Sequence, residues 1–218
     1  MDFLNTLTDN TELFRKGFLG TLALTGSSAL IALVLGTLMA AFRVSPVPVL
    51  RWIGTTWVTI LRNTPLTLLF FASVFAVPKL GLNQLTYFVL AMATLGFYTS
   101  AFVCEVVRSG INTVPIGQAE AARSLGLTFS QTLRTVILPQ AGRTVIGPIG
   151  SVLIALTKNS AIAGGFNVVE LFSTQKTLTE NANPLFAVFF WIALGYLLIT
   201  LVLSGIFRGL ENRLAVAR

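Results

Sequence analysis

Residues 17–42 have the sequence GFLGTLALTGSSALIALVLGTLMAAF, which contains no charged side chain over 26 consecutive positions. An α-helix needs about 20 predominantly apolar residues to cross the hydrocarbon core of a bilayer, so this stretch is long enough to span a membrane. Two further stretches, 80–104 and 181–207, also lack charged residues. Across the chain 54% of the residues are hydrophobic and 11% are charged, whereas soluble domains carry about 25% charge. These features predict an all-α protein that crosses the membrane several times.

Two less uniform apolar stretches complete the predicted spans. The segment 63–78 is uncharged and can be extended backward, and a later segment is interrupted only by Lys158. The sequence therefore predicts one transmembrane domain over residues 1–218, with five helices at about 17–42, 57–78, 82–106, 144–165 and 184–207. The first stretch is too long for a cleavable signal peptide, so we expect none.

Basic residues are unevenly distributed between the two sides of this predicted topology. With the N-terminus outside and the C-terminus inside, ten arginines lie inside and four basic residues lie outside. The inner set is Arg43, Arg51, Arg62, Arg108, Arg123, Arg134, Arg143, Arg208, Arg213 and Arg218, and the outer set is Arg15, Lys16, Lys79 and Lys176. Because cytoplasmic loops are enriched in Lys and Arg, this bias favours an N-out, C-in topology, although the orientation of the segment before residue 17 stays open. The basic residues form no stripe on a polar domain, so the net charge of +7 does not predict nucleic-acid binding.

The longest polar segment, residues 107–143, is predicted to lie inside as two short helices joined by a tight turn. Pro115 suits the first turn of a helix, and Gly126 suits a left-handed residue that ends one. Thr128 and Gln131 have the spacing of a capping box that begins the second helix, and Pro139 is expected to end it. Because ordering such a loop costs conformational entropy, we expect it to dock a partner; a simple connection between helices is the alternative.

The same loop carries a longer motif, with the sequence GQAEAARSLG at residues 117–126 and VILP at residues 136–139. This pattern resembles the EAA loop of ABC importer permeases, with Val136 in place of the usual isoleucine. The resemblance implies a coupling helix that sits in a cleft of a separate ATPase, where small side chains allow close approach and Glu120 supplies a directional charge. The implied coupling residues are Gly117, Gln118, Ala119, Glu120, Ala121, Ala122, Leu125 and Gly126.

Three other segments extend the resemblance over nearly the whole chain. Residues 62–65 (RNTP), 105–111 (EVVRSGI) and 156–162 (LTKNSAI) look like motifs of the polar amino acid branch, and their combination is similar to glutamate-importer permeases. The resemblance implies a type I ABC importer transmembrane fold in a bacterial cytoplasmic membrane. It also implies three partners: an ATPase dimer that binds ATP and Mg, a second permease chain that is homologous or identical, and an extracytoplasmic solute-binding protein.

Lys158 is the residue that we expect to contact the transported solute. It lies about halfway through the predicted fourth span, where a bare charge costs at least roughly 2.5–3.5 kcal/mol, so it should face a polar cavity or a partner. Where similar permeases often have Asp, this chain has Asn159, and the missing negative charge favours an anionic or neutral amino acid. We therefore predict a substrate site at Thr157, Lys158, Asn159 and Ser160 for glutamate, with aspartate or glutamine next. A structural role for Lys158 and a basic amino acid as substrate are the alternatives.

Charged residues near the predicted span ends favour structural roles. Glu105 and Arg108 are three residues apart, which predicts an ion pair on one helix face. Arg62 precedes Thr64 and Pro65, and the preferred interpretation is an anchor at the start of the second span, with solute contact as the alternative.

Other function classes fit the sequence less well. The chain has no GxxxxGK[ST] phosphate loop, no histidine and one cysteine, Cys104, so we predict no enzyme, no metal site and no bound cofactor. A secondary transporter needs intramembrane carboxylates for ion coupling, and none of the eight acidic residues falls in the middle of a predicted span. A channel or a membrane scaffold leaves the structured loop and Lys158 without a role.

Overall fold

The computed structural model describes residues 3–81, 84–181 and 184–214, and all regular secondary structure within these ranges is helical. This finding confirms the predicted all-α class. The start of the predicted third span at residue 82 and the basic residue Arg218 lie outside the described residues.

The helices are distributed along the whole described chain. The α-helices are α1 (Asn5–Thr8), α2 (Thr11–Val44), α3 (Pro48–Asn63), α4 (Leu66–Phe71), α5 (Tyr87–Asn112), α6 (Ile116–Ser124), α7 (Phe129–Thr132), α8 (Leu138–Asn159), α9 (Ala161–Gly164), α10 (Thr174–Glu180) and α11 (Leu185–Leu214). Two π-helical turns, Ala72–Ala76 and Leu133–Ile137, and a 3-10 turn, Pro78–Leu80, complete the helical segments.

Four helical segments of the described chain are long and apolar enough to cross a bilayer: Thr11–Val44, Tyr87–Asn112, Phe129–Gly164 and Leu185–Leu214. They overlap the predicted first, third, fourth and fifth spans, and each extends beyond the predicted bounds on at least one side. At about 1.5 Å per residue, the 34 residues of α2 reach about 51 Å, well beyond a hydrocarbon core of about 30 Å.

The predicted second span at 57–78 is wrong as a single straight helix. The chain bends by 101° between Pro48–Asn63 and Leu66–Leu80, so the span is broken in its predicted first third. Pro65 causes the break because it has no N–H and because it disfavours the helical conformation at Thr64, which is extended with φ −99° and ψ 126°. The side chains of Asn63 and Thr64 donate to the carbonyls of residues 59 and 60, each at 2.8 Å, and thereby satisfy the exposed end of α3.

The prediction that Pro139 ends the second loop helix is also wrong. Helix α7, the π-turn Leu133–Ile137 and α8 form one continuous helical segment that includes the predicted fourth span. Within the π-turn the N–H of Leu138 donates to the carbonyl of Leu133, five residues earlier. This wider turn directly precedes the proline, whose ring would clash with the carbonyl four residues earlier in a regular α-helix. The same arrangement recurs before Pro78, where the Val77 N–H donates to Ala72 O at 3.3 Å.

Close contact between α2 and α5 forms the centre of the structure. A Cβ atom added at Gly36 would lie 2.6 Å from the side chain of Val103, and one added at Gly96 would lie 2.7 Å from that of Ile31. Such close approach is how helices associate in lipid, where the hydrophobic effect does not drive them together. The central buried core consists of Leu24, Leu66, Phe70, Ala91, Leu95, Leu153, Leu156, Ala163 and Val168.

A buried carboxylate holds the segment between α9 and α10. Glu170 is fully buried, and its oxygens accept hydrogen bonds from the N–H of Phe172 at 2.9 Å, from the N–H of Ser173 at 2.6 Å and from the hydroxyl of Tyr196 on α11. Burial raises the pKa of the Glu170 carboxyl above its ordinary value, while these donors oppose the shift because they favour the ionised form. The contacts join this segment to α11.

Replacing Glu170 with alanine should destabilise the protein by about 2–4 kcal/mol, because two backbone N–H groups and one hydroxyl lose their acceptor in a buried place. The measurement is the free energy of unfolding in mixed detergent micelles. Glu180→Ala is the matched control, since Glu180 is exposed. Equal stabilities of the two variants would contradict the buried role of Glu170.

Candidate functional site

Helix α6 ends in the left-handed turn that the sequence predicts. Gly126 has φ +81°, a conformation that residues with a Cβ rarely adopt. The Gly126 N–H donates to Arg123 O at 2.9 Å, and the Leu127 N–H donates to Ala122 O at 3.1 Å. This pair of bonds is a Schellman motif, which satisfies the last carbonyls of α6. Pro115 lies directly before the helix, one residue earlier than a first helical position.

The capping box at the start of α7 is confirmed. The Gln131 N–H donates to the hydroxyl oxygen of Thr128 at 3.4 Å, and the Thr128 N–H donates to the side-chain oxygen of Gln131 at 2.8 Å. Helix α6, the Gly126 turn and the start of α7 therefore form the structured turn that the sequence predicts, while α7 continues into α8 and does not end within the loop.

The surface of this element is exposed and partly apolar. Ile116 is 78% exposed, Leu125 is 83% exposed and Phe129 is 67% exposed. Among the predicted coupling residues, Gly117, Gln118, Glu120, Ala121, Leu125 and Gly126 are exposed, Ala119 is half-buried and Ala122 is buried. Within the part of the chain that the structure describes, the Glu120 carboxylate makes no ion pair. The coupling role of these residues stays a prediction.

A second candidate site is a cavity of about 260 Å³ between α5 and α8, called here the α5/α8 cavity. Its lining consists of Tyr98, Thr99 and Phe102 on α5 and Val152, Ala155, Leu156 and Asn159 on α8. Asn159 is half-buried, and over the described ranges its side-chain amide makes no hydrogen bond. An unpaired amide at the wall of a cavity within the spans is able to bind a polar solute.

The four predicted substrate residues are placed differently by the fold. Asn159 lines the α5/α8 cavity, whereas Lys158 is exposed and does not line it. Thr157 and Ser160 are fully buried, and their hydroxyls donate within the same helical segment, to Leu153 O at 3.0 Å and to Thr157 O at 2.7 Å. Substrate contact by these residues stays a prediction, and the geometry favours Asn159 among them.

Sequence reasoning missed the aromatic part of this cavity. Tyr98 and Phe102 are four residues apart on α5, and their ring centroids are 5.1 Å apart. The spacing of four places both rings on one helix face, so it was a usable signal. With 17 phenylalanines in the chain, however, nothing local distinguished Phe102 from those that face lipid or the core.

A charged group called here the Glu105 cluster lies one turn along α5 from Phe102. Glu105 pairs with Arg108 at 3.0 Å, which confirms the predicted ion pair. Two arginines that the sequence did not connect to it join from other helices: Arg43 of α2 at 2.6 Å and Arg62 of α3 at 3.4 Å. The cluster therefore ties α2, α3 and α5 together toward the C-terminal end of each helix.

Within residues 3–81, 84–181 and 184–214, no three His, Cys, Asp or Glu side chains are grouped to hold a metal ion.

Comparison with known proteins places the chain among transport proteins. The sequence profile of the family described as "Binding-protein-dependent transport system inner membrane component" matches residues 32–216. The chain is 47% identical over 210 residues to the glutamate transport system permease protein GluC of Corynebacterium efficiens, with 91% of this chain and 92% of the relative covered. It is 38% identical to the probable glutamine ABC transporter permease protein GlnM of Bacillus subtilis, with 97% of each covered.

The fold is also that of a solved transporter. A chain of an amino acid ABC transporter, crystallised with histidines, superposes with a TM-score of 0.91 at 30% identity, and the match covers 98% of this chain and 99% of the other. Together with the apolar helices and the family match over most of the length, this likeness leads to one conclusion. The chain is a multi-pass plasma-membrane protein that belongs to the family of binding-protein-dependent transport system inner membrane components.

Proposed function

We propose that this chain is the permease subunit of an ATP-driven importer for a polar amino acid, with glutamate as the first candidate and aspartate or glutamine next. The observation that carries the proposal is the α5/α8 cavity, where Asn159 offers a neutral amide within the membrane spans. The relatives named above, a glutamate permease and a probable glutamine permease, support the same class of substrate.

The charges around the cavity favour an anionic or neutral solute. Lys158 is adjacent to Asn159, and the Glu105 cluster contains three arginines and one carboxylate. A cationic side chain would experience repulsion from this excess of positive charge, whereas a carboxylate would be attracted.

The exposure of Lys158 supports a second permease chain. Lys158 lies nearer the end of its span than the sequence predicts, in the last turn of α8 and six residues before the end of the segment Phe129–Gly164. A lysine that faces lipid within a span is unfavourable, by roughly 2.5–3.5 kcal/mol at a helix centre. Pairing of two permease chains around a shared aqueous path removes this problem, because the exposed face of α8 then lines the path. In this arrangement Lys158 and Asn159 both approach the solute, as the sequence predicts.

The remaining parts of the proposed importer follow from the topology. We propose five spans, with the bent pair α3 and α4 forming the second, and an N-out, C-in orientation that places α6 in the cytoplasm. A separate ATPase dimer, which binds ATP and Mg, docks on α6, and an extracytoplasmic binding protein delivers the solute. Closure of the ATPase dimer moves α6 as a rigid element, and the two permeases alternate between inward and outward access. The chain itself hydrolyses no ATP in this scheme.

Glutamate should stimulate ATP hydrolysis by the complex of this chain, its ATPase and its binding protein reconstituted in lipid, because delivery of the transported solute completes the cycle. Stimulation by arginine and not by glutamate would contradict glutamate as the substrate but would not contradict the assignment as an importer. Failure to assemble with any ATPase would contradict the importer itself.

Replacing Asn159 with aspartate should lower glutamate uptake relative to glutamine uptake by roughly tenfold to hundredfold. The aspartate carboxylate would repel the side-chain carboxylate of glutamate, whereas glutamine has a neutral amide at that position. Asn159→Ala, which adds no charge, is the control and should leave the ratio near that of the wild type.

The same uptake assay tests Lys158. Lys158→Ala should abolish uptake while assembly survives, and undiminished uptake would show that Lys158 does not bind the solute.

Replacing Leu125 with glutamate should reduce co-purification of the ATPase by about tenfold or more, because docking would bury an unpaired carboxylate. Leu80→Glu is the matched control, since Leu80 is 77% exposed and Leu125 is 83% exposed, and Leu80 belongs to the opposite end of the spans in this topology. Equal ATPase recovery with both variants would contradict docking at the Gly126 turn.

A further inference from the structure

The Glu105 cluster carries more positive charge than is needed to hold α2, α3 and α5 together. One carboxylate is paired with the guanidinium groups of Arg43, Arg62 and Arg108, so the net charge is three minus one, or +2. The cluster is partly exposed, and a single carboxylate cannot neutralise three guanidinium groups. At least one arginine therefore retains the capacity to bind a second anion.

Arg62 is the most loosely held of the three arginines. Arg43 and Arg108 donate hydrogen bonds to Glu105, at 2.6 Å from Arg43 and at 3.0 and 3.3 Å from Arg108. Arg62 approaches to 3.4 Å as an ion pair only. Its side chain is also the most exposed, at 46%, against 15% for Arg43 and 35% for Arg108. Arg62 lies in the last turn of α3, directly before the bend at residues 64–65.

The Arg62 side chain contacts one of the aromatic rings that line the α5/α8 cavity. Its guanidinium carbon lies 5.6 Å from the centroid of Phe102, and Phe102 lines the cavity together with Asn159. A guanidinium at this distance from a ring face is attracted to it. Along α5 the order is Tyr98, Phe102 and Glu105, and the chain then continues to α6. Along this direction, Glu105 and the Arg62 side chain paired with it therefore follow Phe102.

We propose that Arg62 is a specificity-determining residue that binds the side-chain carboxylate of the transported amino acid as the solute moves from the α5/α8 cavity toward the α6 end. This inference rests on the proposed function, because it requires an anionic amino acid as the substrate. Arg62 exchanges the Glu105 carboxylate for that of the solute and then returns to Glu105.

The exchange avoids an isolated charge at every stage. When Arg62 leaves Glu105, the carboxylate keeps its hydrogen bonds to Arg43 and Arg108, while Arg62 gains the solute carboxylate. A planar guanidinium is suited to this role because it can bind a carboxylate with two parallel hydrogen bonds. A neutral amide such as that of glutamine is a poorer partner for Arg62 than the Glu105 carboxylate. A cationic side chain of a solute is repelled by the net positive charge of the cluster.

The test is equilibrium binding of radiolabelled glutamate and glutamine to the nucleotide-free permease–ATPase complex in nanodiscs, without the binding protein, so that only the permease selects. Arg62→Gln should weaken glutamate binding by about tenfold to hundredfold, because a charge-assisted pair is lost, and should change glutamine binding little. Arg62→Lys keeps the charge without the two-pronged geometry and should give an intermediate affinity for glutamate. Added salt should weaken glutamate binding to the wild type more than to Arg62→Gln.

Arg108→Gln is the matched control, because it also removes one arginine from Glu105 but leaves the contact between Arg62 and Phe102. If both variants lower glutamate and glutamine binding equally, or if Arg108→Gln shifts the ratio as much as Arg62→Gln, the assignment to Arg62 is overturned. If the wild type binds glutamate and Arg62→Gln keeps the wild-type ratio, the inference fails while the proposed function stands. If the wild-type complex binds arginine but neither glutamate nor glutamine, the proposed substrate fails and the inference fails with it.

Discussion

The lack of water in the bilayer core is the constraint on which this structure depends, because every backbone N–H and C=O must find a partner within the protein. The chain meets it with long helices and breaks them only where other groups replace the lost hydrogen bonds. At the bend before α4, the side chains of Asn63 and Thr64 cap the free carbonyls of α3. Before Pro78 and Pro139, a π-turn lets the helix continue past a residue that cannot donate. Proline thus accompanies a sharp bend at Pro65 and a continuous helix at Pro139 and Pro148, while the helix at Pro78 goes on only as the 3-10 turn Pro78–Leu80.

Helix α5 links the parts that transport requires. Its packing face against α2 contains Gly96 and Val103, its cavity face contains Tyr98 and Phe102, and its last turns contain Glu105 and lead to α6. Helix α6 follows α5 after a short non-helical link and packs on α7 and on the π-turn Leu133–Ile137, which continue into α8. In the proposed scheme, a displacement of α6 therefore reaches the cavity through α8, while the three arginines on Glu105 hold α2 and α3 to α5.

The two ends of the structure are held in different ways. The segment between α9 and α10 is held by Glu170, which is fully buried and accepts three hydrogen bonds. At the α6 end, Glu105 is 25% exposed and shares its charge among three partners, one of which is weakly held. A fully satisfied buried group rigidifies its surroundings, whereas an overcharged and partly exposed cluster has alternative pairings of similar energy. The proposed movement at Arg62 requires the second kind of arrangement.

The sequence by itself determined the features that depend on neighbouring residues. Hydropathy over some 20 residues identified four of the spans, and the Gly126 turn, the Thr128–Gln131 capping box and the Glu105–Arg108 pair followed from spacings of a few positions. Only the tertiary structure decided what depends on distant residues or on the direction of a side chain. Adjacent positions on a helix point about 100° apart, so hydropathy could not show that Asn159 lines the cavity while Lys158 faces outward. Nor could it show that Arg43 and Arg62 reach Glu105, since these residues meet only after α2, α3 and α5 pack together. The bend at Pro65 and the unbroken helix at Pro139 differ for the same reason, because the surrounding fold decides how a proline's missing hydrogen bond is replaced.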